Sequence, residues 1–238
     1  MGDYVDRGLY SKEVVDFVID LQKTGAVCLR GNHDDVIDWI LNKHSLTDLS
    51  EVCSSTDDIT VCVWWLSHGF SPTIASYGVK PSCDFQERMN QFRKAVPDAH
   101  KEFFKTLPFV WENETHFACH AYLCPNEVQS NPLVISDTRR TETLWERFPK
   151  DVQYADRPST REALKPIEIK WDKIGVFGHT PVSYYGAVAP IKHSKLRLID
   201  TGVFEGNYLC GYNCDLDDHM LQATDSRDLP QITKEERA

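Results

Sequence analysis

Apolar residues near the start of the chain recur with two different spacings. From Ser11, an N-cap type of residue, Val14, Val15, Val18 and Leu21 keep a helical period that stops at Gly25. Ala26-Val27-Cys28-Leu29 then forms a short unbroken apolar run, the signature of a buried strand, and leads into Arg30-Gly31-Asn32-His33-Asp34. A second amphipathic helix follows, with Val36, Ile37, Ile40 and Leu41 on one side. The opening Gly2–Gly8 segment brackets two carboxylates and an arginine between glycines and reads as a loop. Loop, helix, strand, loop, helix is the rhythm of an α/β sheet with polar residues at the strand ends.

From about Ser45 to Val96 the pattern changes. This stretch is polar, contains Trp64-Trp65 and a Tyr77-Gly78 turn signal, and reads as an inserted, mainly helical lid or cap. Alternation resumes with the strands Phe109-Val110-Trp111 and Thr115–Cys119, the second ending at His120. A loop-rich region runs to about Asp172, with a helical turn around Thr143–Phe148. Ile174–Phe177 then forms a strand ending in Gly178-His179-Thr180-Pro181. Leu196–Ile199, Tyr208–Gly211 and Met220–Ala223 read as antiparallel strands closing a second sheet, and the charged tail beyond Thr224 as frayed. The expected fold class is α/β (α+β): a two-sheet sandwich flanked by helices. It forms a single domain over residues 1–238, with the cap at about 45–96 and the tail at about 225–238.

Composition narrows the function classes. The 238 residues are 41% hydrophobic and 26% charged, enough for a full globular core. With 26 basic against 36 acidic residues, the chain lacks the basic stripe of a nucleic-acid binder. Eight scattered cysteines without a CxxC pair read as reduced thiols of a cytoplasmic protein. No apolar run approaches the roughly 18 residues that span a bilayer, and no signal peptide is visible. The sequon Asn113-Glu114-Thr115 therefore reads as chance.

Polar residues gather where apolar runs end: Asn32 and His33, then His120, then His179, with Asp3 in a loop of the same kind. Strand exits on one edge of an α/β sheet are where such folds build sites. A carboxylate, a side-chain amide and two imidazoles can hold a borderline metal through oxygen and nitrogen. Arg7 and Arg30 lie in the same loops, and a planar guanidinium forks onto phosphate oxygens. Singly, a strand-end histidine is more often structural, Asp3 a turn residue and Arg7 a surface ion pair. Their joint order is what points to a phosphate-processing metal site.

Gly2-Asp3-Tyr4-Val5-Asp6-Arg7-Gly8, Arg30-Gly31-Asn32-His33-Asp34 and Gly178-His179-Thr180 resemble, in order and spacing, the successive motifs of the calcineurin-like metallophosphoesterases. More narrowly they resemble the phosphoprotein phosphatase branch, with its GDxVDRG and RGNHE or RGNHD motifs. Cys119-His120-Ala121 is similar to the form found in bacterial, phage and dinucleoside-tetraphosphatase members, and Trp65–Tyr77 resembles the bacterial-type cap sequence, so that His68-Gly69 within it is not the metal-binding His-Gly. The resemblance implies hydrolysis of phosphate esters by water activated between two divalent metal ions (Mn, Fe or Zn). The substrate would be a phosphorylated protein, in a serine/threonine phosphatase, or alternatively a nucleotide, in a dinucleoside tetraphosphate hydrolase. It implies Asp3 as the carboxylate bridging the metals, with Asn32, His120 and His179 as further ligands. His33 would be the general acid, oriented by Asp34, and Arg7, Arg30 and Arg147 would clamp the phosphate. Asp6 and Asp200 would support these groups from behind.

One part of the family pattern has no counterpart. The earlier Asp-x-His-Gly motif, which supplies ligands to the first metal, does not occur in the chain. One metal site is therefore expected to be incomplete, with Met1 standing at an internal position of a longer reading frame. The alternative of another class is a domain that binds phosphates or partners without turnover.

Overall fold

The helical period after Ser11 is realised as α1 (Ser11–Lys23), which turns Val15 and Val18 inward while Val14 and Leu21 stay exposed. Ser11 is the first helical residue rather than the cap, and its buried hydroxyl lies 3.1 Å from that of Thr73. α2 (Asn32–Asn42) starts immediately after the Arg30-Gly31 pair, with Gly31 at its N-cap and Val36, Ile37 and Ile40 buried. In this computed structural model, residues 1–128, 133–149, 152–153, 165–166 and 168–223 are described.

Five further helices follow: α3 (Leu49–Cys53), α4 (Asp58–Leu66), α5 (Phe70–Ser76), α6 (Phe85–Ala95) and α7 (Asp98–Thr106). Asp48, Asp57 and Asp84 cap α3, α4 and α6 by accepting a hydrogen bond from a backbone N–H in the first turn. The helical run extends past Val96, to Thr106, and it is packed into the body rather than laid over it. Trp65, Phe70, Phe92 and Phe104 form one cluster with Val15, Val18, Val36, Ile37 and Ile40. Burial of each large side chain contributes about 1.5–3 kcal/mol, too much for a lid that swings clear of its base.

The second half builds a five-stranded sheet in the order β1-β2-β5-β7-β6, from β1 (Val110–Glu112), β2 (His116–Cys119), β5 (Ile174–Phe177), β6 (Ile191–His193) and β7 (Leu196–Leu198). The three central strands β2, β5 and β7 are parallel and the edge strands antiparallel. Alternation along β2 and β5 sends Phe117, Cys119 and Phe177 to one face, with Trp171 and Leu196, and Ala118 and Val176 to the other, with Leu29 and Ile199. Two smaller sheets stand apart: the two-residue parallel pair β3 (Val152–Gln153) and β4 (Lys165–Pro166), and the hairpin β8 (Tyr208–Asn213) with β9 (Asp218–Ala223).

Three further expectations shift. Leu196–Leu198 joins the main sheet parallel to β5 and does not pair with the Tyr208 hairpin, because its apolar side chains are needed against Phe177. Ala26–Leu29 is not in a strand ladder, although Cys28 and Leu29 are buried as a strand would require. The helical turn near Thr143 is α8 (Arg140–Trp145), three residues earlier than the pattern suggested. The tail over residues 224–238 lies outside the described residues. All eight cysteines are free thiols, and no described helix is long and apolar enough to cross a membrane.

Candidate metal centre

Two parallel strands and one helix end carry the centre. The register Cys119 opposite Phe177 sets the exits of β2 and β5 side by side, and Gly178 N–H donates to the His120 carbonyl at 2.8 Å. His120 and His179 therefore face each other, ring centroids 5.0 Å apart. Asn32 enters from the first turn of α2, its Oδ1 3.1 Å from both His120 Nε2 and His179 Nδ1. Asp3 completes the group, with Oδ2 3.4 Å from His120 Nε2.

Holding Asp3 there requires two loops to touch at their backbones. Gly2 adopts φ +89°, and a Cβ on it would lie 2.4 Å from Gly31 N; a Cβ on Gly31 would lie 2.2 Å from Asp3 Oδ1. Neither position has room for a side chain. Asp3, Asp6, Arg7 and His179 all have left-handed backbones although none is glycine, a concentration of local strain at one place. The first turn of α2 offsets part of it, since His33 N–H donates to Asp3 Oδ1 at 3.0 Å, a free N-terminal donor meeting a carboxylate.

Charge and hydrogen positions show what the group can hold. His120 Nδ1–H donates to the Met1 carbonyl at 2.7 Å, and His179 Nε2–H donates to the Trp145 carbonyl at 3.2 Å. Each neutral ring then turns its lone pair inward, at Nε2 and Nδ1 respectively. Those two nitrogens are 3.2 Å apart, and both face an amide oxygen and a carboxylate. Four acceptors thus converge with no hydrogen among them, a donor set that suits a divalent cation, with each imidazole oriented by a carbonyl behind it. Suitable ligand atoms of Asp3, His120 and His179 lie within 4.8 Å of one another.

The charges within the group act on one another's protonation. Burial acts to lower the pKa of His120, but the Asp3 carboxylate outweighs it and the net shift is upward. Burial and the neighbouring His120 charge push His179 down to about 3. Burial opposes ionisation of Asp3, yet the surrounding histidines hold its carboxyl well below the usual range.

The remaining expected residues divide. His33 is beside the cluster, but its partner is Asp6, not Asp34: Nδ1 lies 2.7 Å from Asp6 Oδ2. Asp34 instead accepts N–H bonds from Asp3 (2.6 Å), Gly31 (2.9 Å) and Tyr4 (3.0 Å), so it caps α2 and pins the Gly2–Tyr4 loop. Burial and the adjacent Asp3 raise the Asp34 pKa, and the N–H bonds it accepts from Gly31, Tyr4 and Asp3 act against that rise. Asp6 also binds Trp65 and Thr73, two residues whose part in the site the sequence did not reveal.

Arg30 is turned away from the centre and fully buried. Its guanidinium pairs with Asp35 at 2.8 Å and Asp38 at 3.0 Å and donates to the carbonyls of Phe104, Lys105 and Leu107. Two carboxylates one helical turn apart on α2, together with three carbonyls at the end of α7, bind it more fully than a phosphate at the loop could. Of the three arginines expected at a phosphate, Arg7 and Arg147 remain as candidates. Arg7 packs over Phe204, with its guanidinium carbon 4.3 Å from the ring centroid, and Arg147 lies 5.0 Å over Tyr184. Arg147 is near enough to His179 for its charge to help lower that residue's pKa. Asp200 accepts from Gly202 N–H at 2.9 Å, and burial followed by the Asp3 charge raises its pKa. A cleft of about 1080 Å³ opens beside the cluster, with Asp3, Arg7, His120, His179 and Asp200 in its walls and Phe204 and Tyr208 among its aromatic sides.

Among curated proteins, none matches the chain. The model of one family does, that of the calcineurin-like phosphoesterases, over residues 1–186, and the chain belongs to that family.

Proposed function

We propose that the chain hydrolyses phosphate monoesters on serine and threonine side chains of proteins, with manganese, iron or zinc as cofactor. Membership of a phosphoesterase family supports metal-dependent hydrolysis of phosphoesters. The observation that carries the reading is a cluster of four converging acceptor atoms beside a histidine–aspartate pair, His33 following Asn32 directly in the chain.

Asp3, Asn32, His120 and His179 would hold the cation. A bound divalent ion polarises a phosphoryl oxygen and makes water acidic enough to act as a nucleophile near neutral pH. Arg7 and Arg147 direct positive charge at the phosphate and offset the charge that builds on its equatorial oxygens. His33 donates from Nε2 to the departing alkoxide while Asp6 holds Nδ1–H, which fixes the ring and its tautomer.

Two observations favour a protein substrate over a nucleotide. Of the three aromatic candidates for stacking on a base, Trp65 and Tyr77 are buried in the core at 0% and 8% exposure, and Trp64 is half-buried against Trp65 and Trp145. The cleft of about 1080 Å³ also lies just above the about 300–1,000 Å³ usual for small-molecule pockets, room for a peptide segment. Eight free thiols support a reducing, cytoplasmic location. The test is kcat/KM for phosphoserine and phosphothreonine peptides against a dinucleoside tetraphosphate, with manganese present. Preference for the peptides supports the proposal, and preference for the nucleotide reverses it. Tight phosphate binding without product on any substrate would make the chain a binding domain.

A further inference from the structure

Asp6 is set in a loop with φ 72°, so neither helix nor strand holds it in place. Its position depends instead on two side chains nearly sixty and seventy residues away in sequence. Trp65 Nε1–H donates to Asp6 Oδ2 at 2.8 Å, the same oxygen that His33 Nδ1 approaches at 2.7 Å. Thr73 clasps the residue at two points: its hydroxyl accepts from Asp6 N–H at 2.8 Å and donates to Asp6 Oδ1 at 2.6 Å. Both side chains are fully buried.

Trp65 also bears on the histidine itself. Its ring lies 4.7 Å from that of His33, centroid to centroid, and stacks on His68 at 4.6 Å and 11°. An indole N–H can only donate, so its bond to Oδ2 holds the carboxylate in one rotamer and keeps that oxygen aimed at His33 Nδ1. Nearby, Arg7 N–H donates to the Gly69 carbonyl at 2.9 Å, and a Cβ on Gly69 would lie 2.6 Å from the Arg7 side chain. The α4–α5 segment therefore braces both the loop that carries Asp6 and the arginine that follows it.

We infer that Trp65 and Thr73 are positioning residues for the proton-donating histidine, and that the α4–α5 segment is the frame that keeps His33 and Asp6 aligned for protonation of the leaving group. Neither side chain reaches the phosphate; both act through Asp6. The inference rests on the proposed reading of His33 as general acid. Its consequence is selective. A substrate whose leaving oxygen needs a proton depends on the alignment, whereas a substrate that departs as a stable anion does not.

Trp65→Phe keeps the ring and removes the N–H donor, and Thr73→Val keeps the shape and removes the hydroxyl. With wild type as reference, kcat and KM are measured for a phosphoserine peptide and for p-nitrophenyl phosphate. Thermal unfolding confirms that each variant is folded. Each variant is expected to lose roughly 10- to 100-fold in kcat on the phosphoserine peptide with KM unchanged, and far less on p-nitrophenyl phosphate. In ¹⁵N-labelled, metal-free protein, the His33 Nδ1–H resonance should be observed hydrogen-bonded in wild type and weakened or shifted in Trp65→Phe. Equal losses on both substrates, or no loss on either together with an unchanged His33 resonance, would overturn the inference. A wild type inactive on every substrate would overturn the phosphatase reading instead, and the His33 resonance would still test the alignment.

Discussion

Replacement of Arg30 by Met separates a structural arginine from a phosphate-binding one. The guanidinium is fully buried between Asp35 and Asp38, which are themselves fully buried. Both carboxylates keep other partners after the substitution: Asp35 the hydroxyls of Thr47 and Ser45, Asp38 the Asn42 amide and the His44 ring at 2.6 Å. They lose their shared cation, and the carbonyls of Phe104, Lys105 and Leu107 lose a donor. Breaking a buried ion pair by removal of one partner costs about 3–5 kcal/mol, and the stranded carbonyls place Arg30→Met toward the upper end. For a chain of this size that corresponds to a fall in Tm on the order of 10 °C. The assay pairs urea or thermal unfolding with inhibition by inorganic phosphate, measured at a temperature where the variant remains folded. Large destabilisation with phosphate affinity within about twofold of wild type is the expected result. A variant of unchanged Tm whose phosphate affinity drops tenfold would refute the placement of Arg30 in the core network.

Gly31→Ala should abolish metal binding and activity together, because its Cβ would sit 2.2 Å from Asp3 Oδ1 and displace the carboxylate; calorimetric metal titration of the folded variant checks this. Asp217→Asn should lower stability in a pH-dependent way. The hydrogen bonds from Arg197, and with them the Tyr212 hydroxyl, hold the Asp217 carboxyl well below the usual range. A depressed pKa gives stability that is present above the ordinary carboxylate value and lost as pH falls through the folded value. The side chain is 45% exposed, so about 1 kcal/mol at neutral pH is the most expected. Urea unfolding at pH 7 and pH 3 should show the wild type's advantage shrinking at the lower pH, and an equal gap at both would contradict it.

The parts of the fold that could be read from the sequence are those set by local period. β2 and β5 are short apolar runs whose exits carry His120 and His179, so both the strands and two of the candidate metal ligands could be placed before the structure. α1 and α2 followed from helical spacing in the same way. What remained hidden depends on direction and distance. Arg30 stands in the same loop motif as Asn32, and nothing local tells that its side chain turns back toward carbonyls more than seventy residues away. Asp34 and Asp6 are both carboxylates near His33 in sequence or loop, and the choice between them is made by the helix start, where Asp34 is consumed by three backbone N–H groups. The parallel pairing of β7 with β5 was likewise invisible, because Leu196–Leu198 carries the same apolar pattern in either sheet. Sequence alone leaves Trp64, Trp65 and Tyr77 open as core or as stacking surfaces; Trp65 and Tyr77 are packed as core, and Trp64 is only half-buried.

Asp3, Asn32, His120 and His179 would form the cation site on which the proposed phosphoester hydrolysis depends. The most direct measurement follows manganese binding and p-nitrophenyl phosphate hydrolysis in the same titration of metal-stripped protein, with Asp3→Asn alongside. Hydrolysis in wild type should rise in step with bound metal, and Asp3→Asn should bind far more weakly and stay inactive at the same metal concentration. Turnover that persists in chelator, or an Asp3→Asn variant that binds and hydrolyses like wild type, would contradict the account.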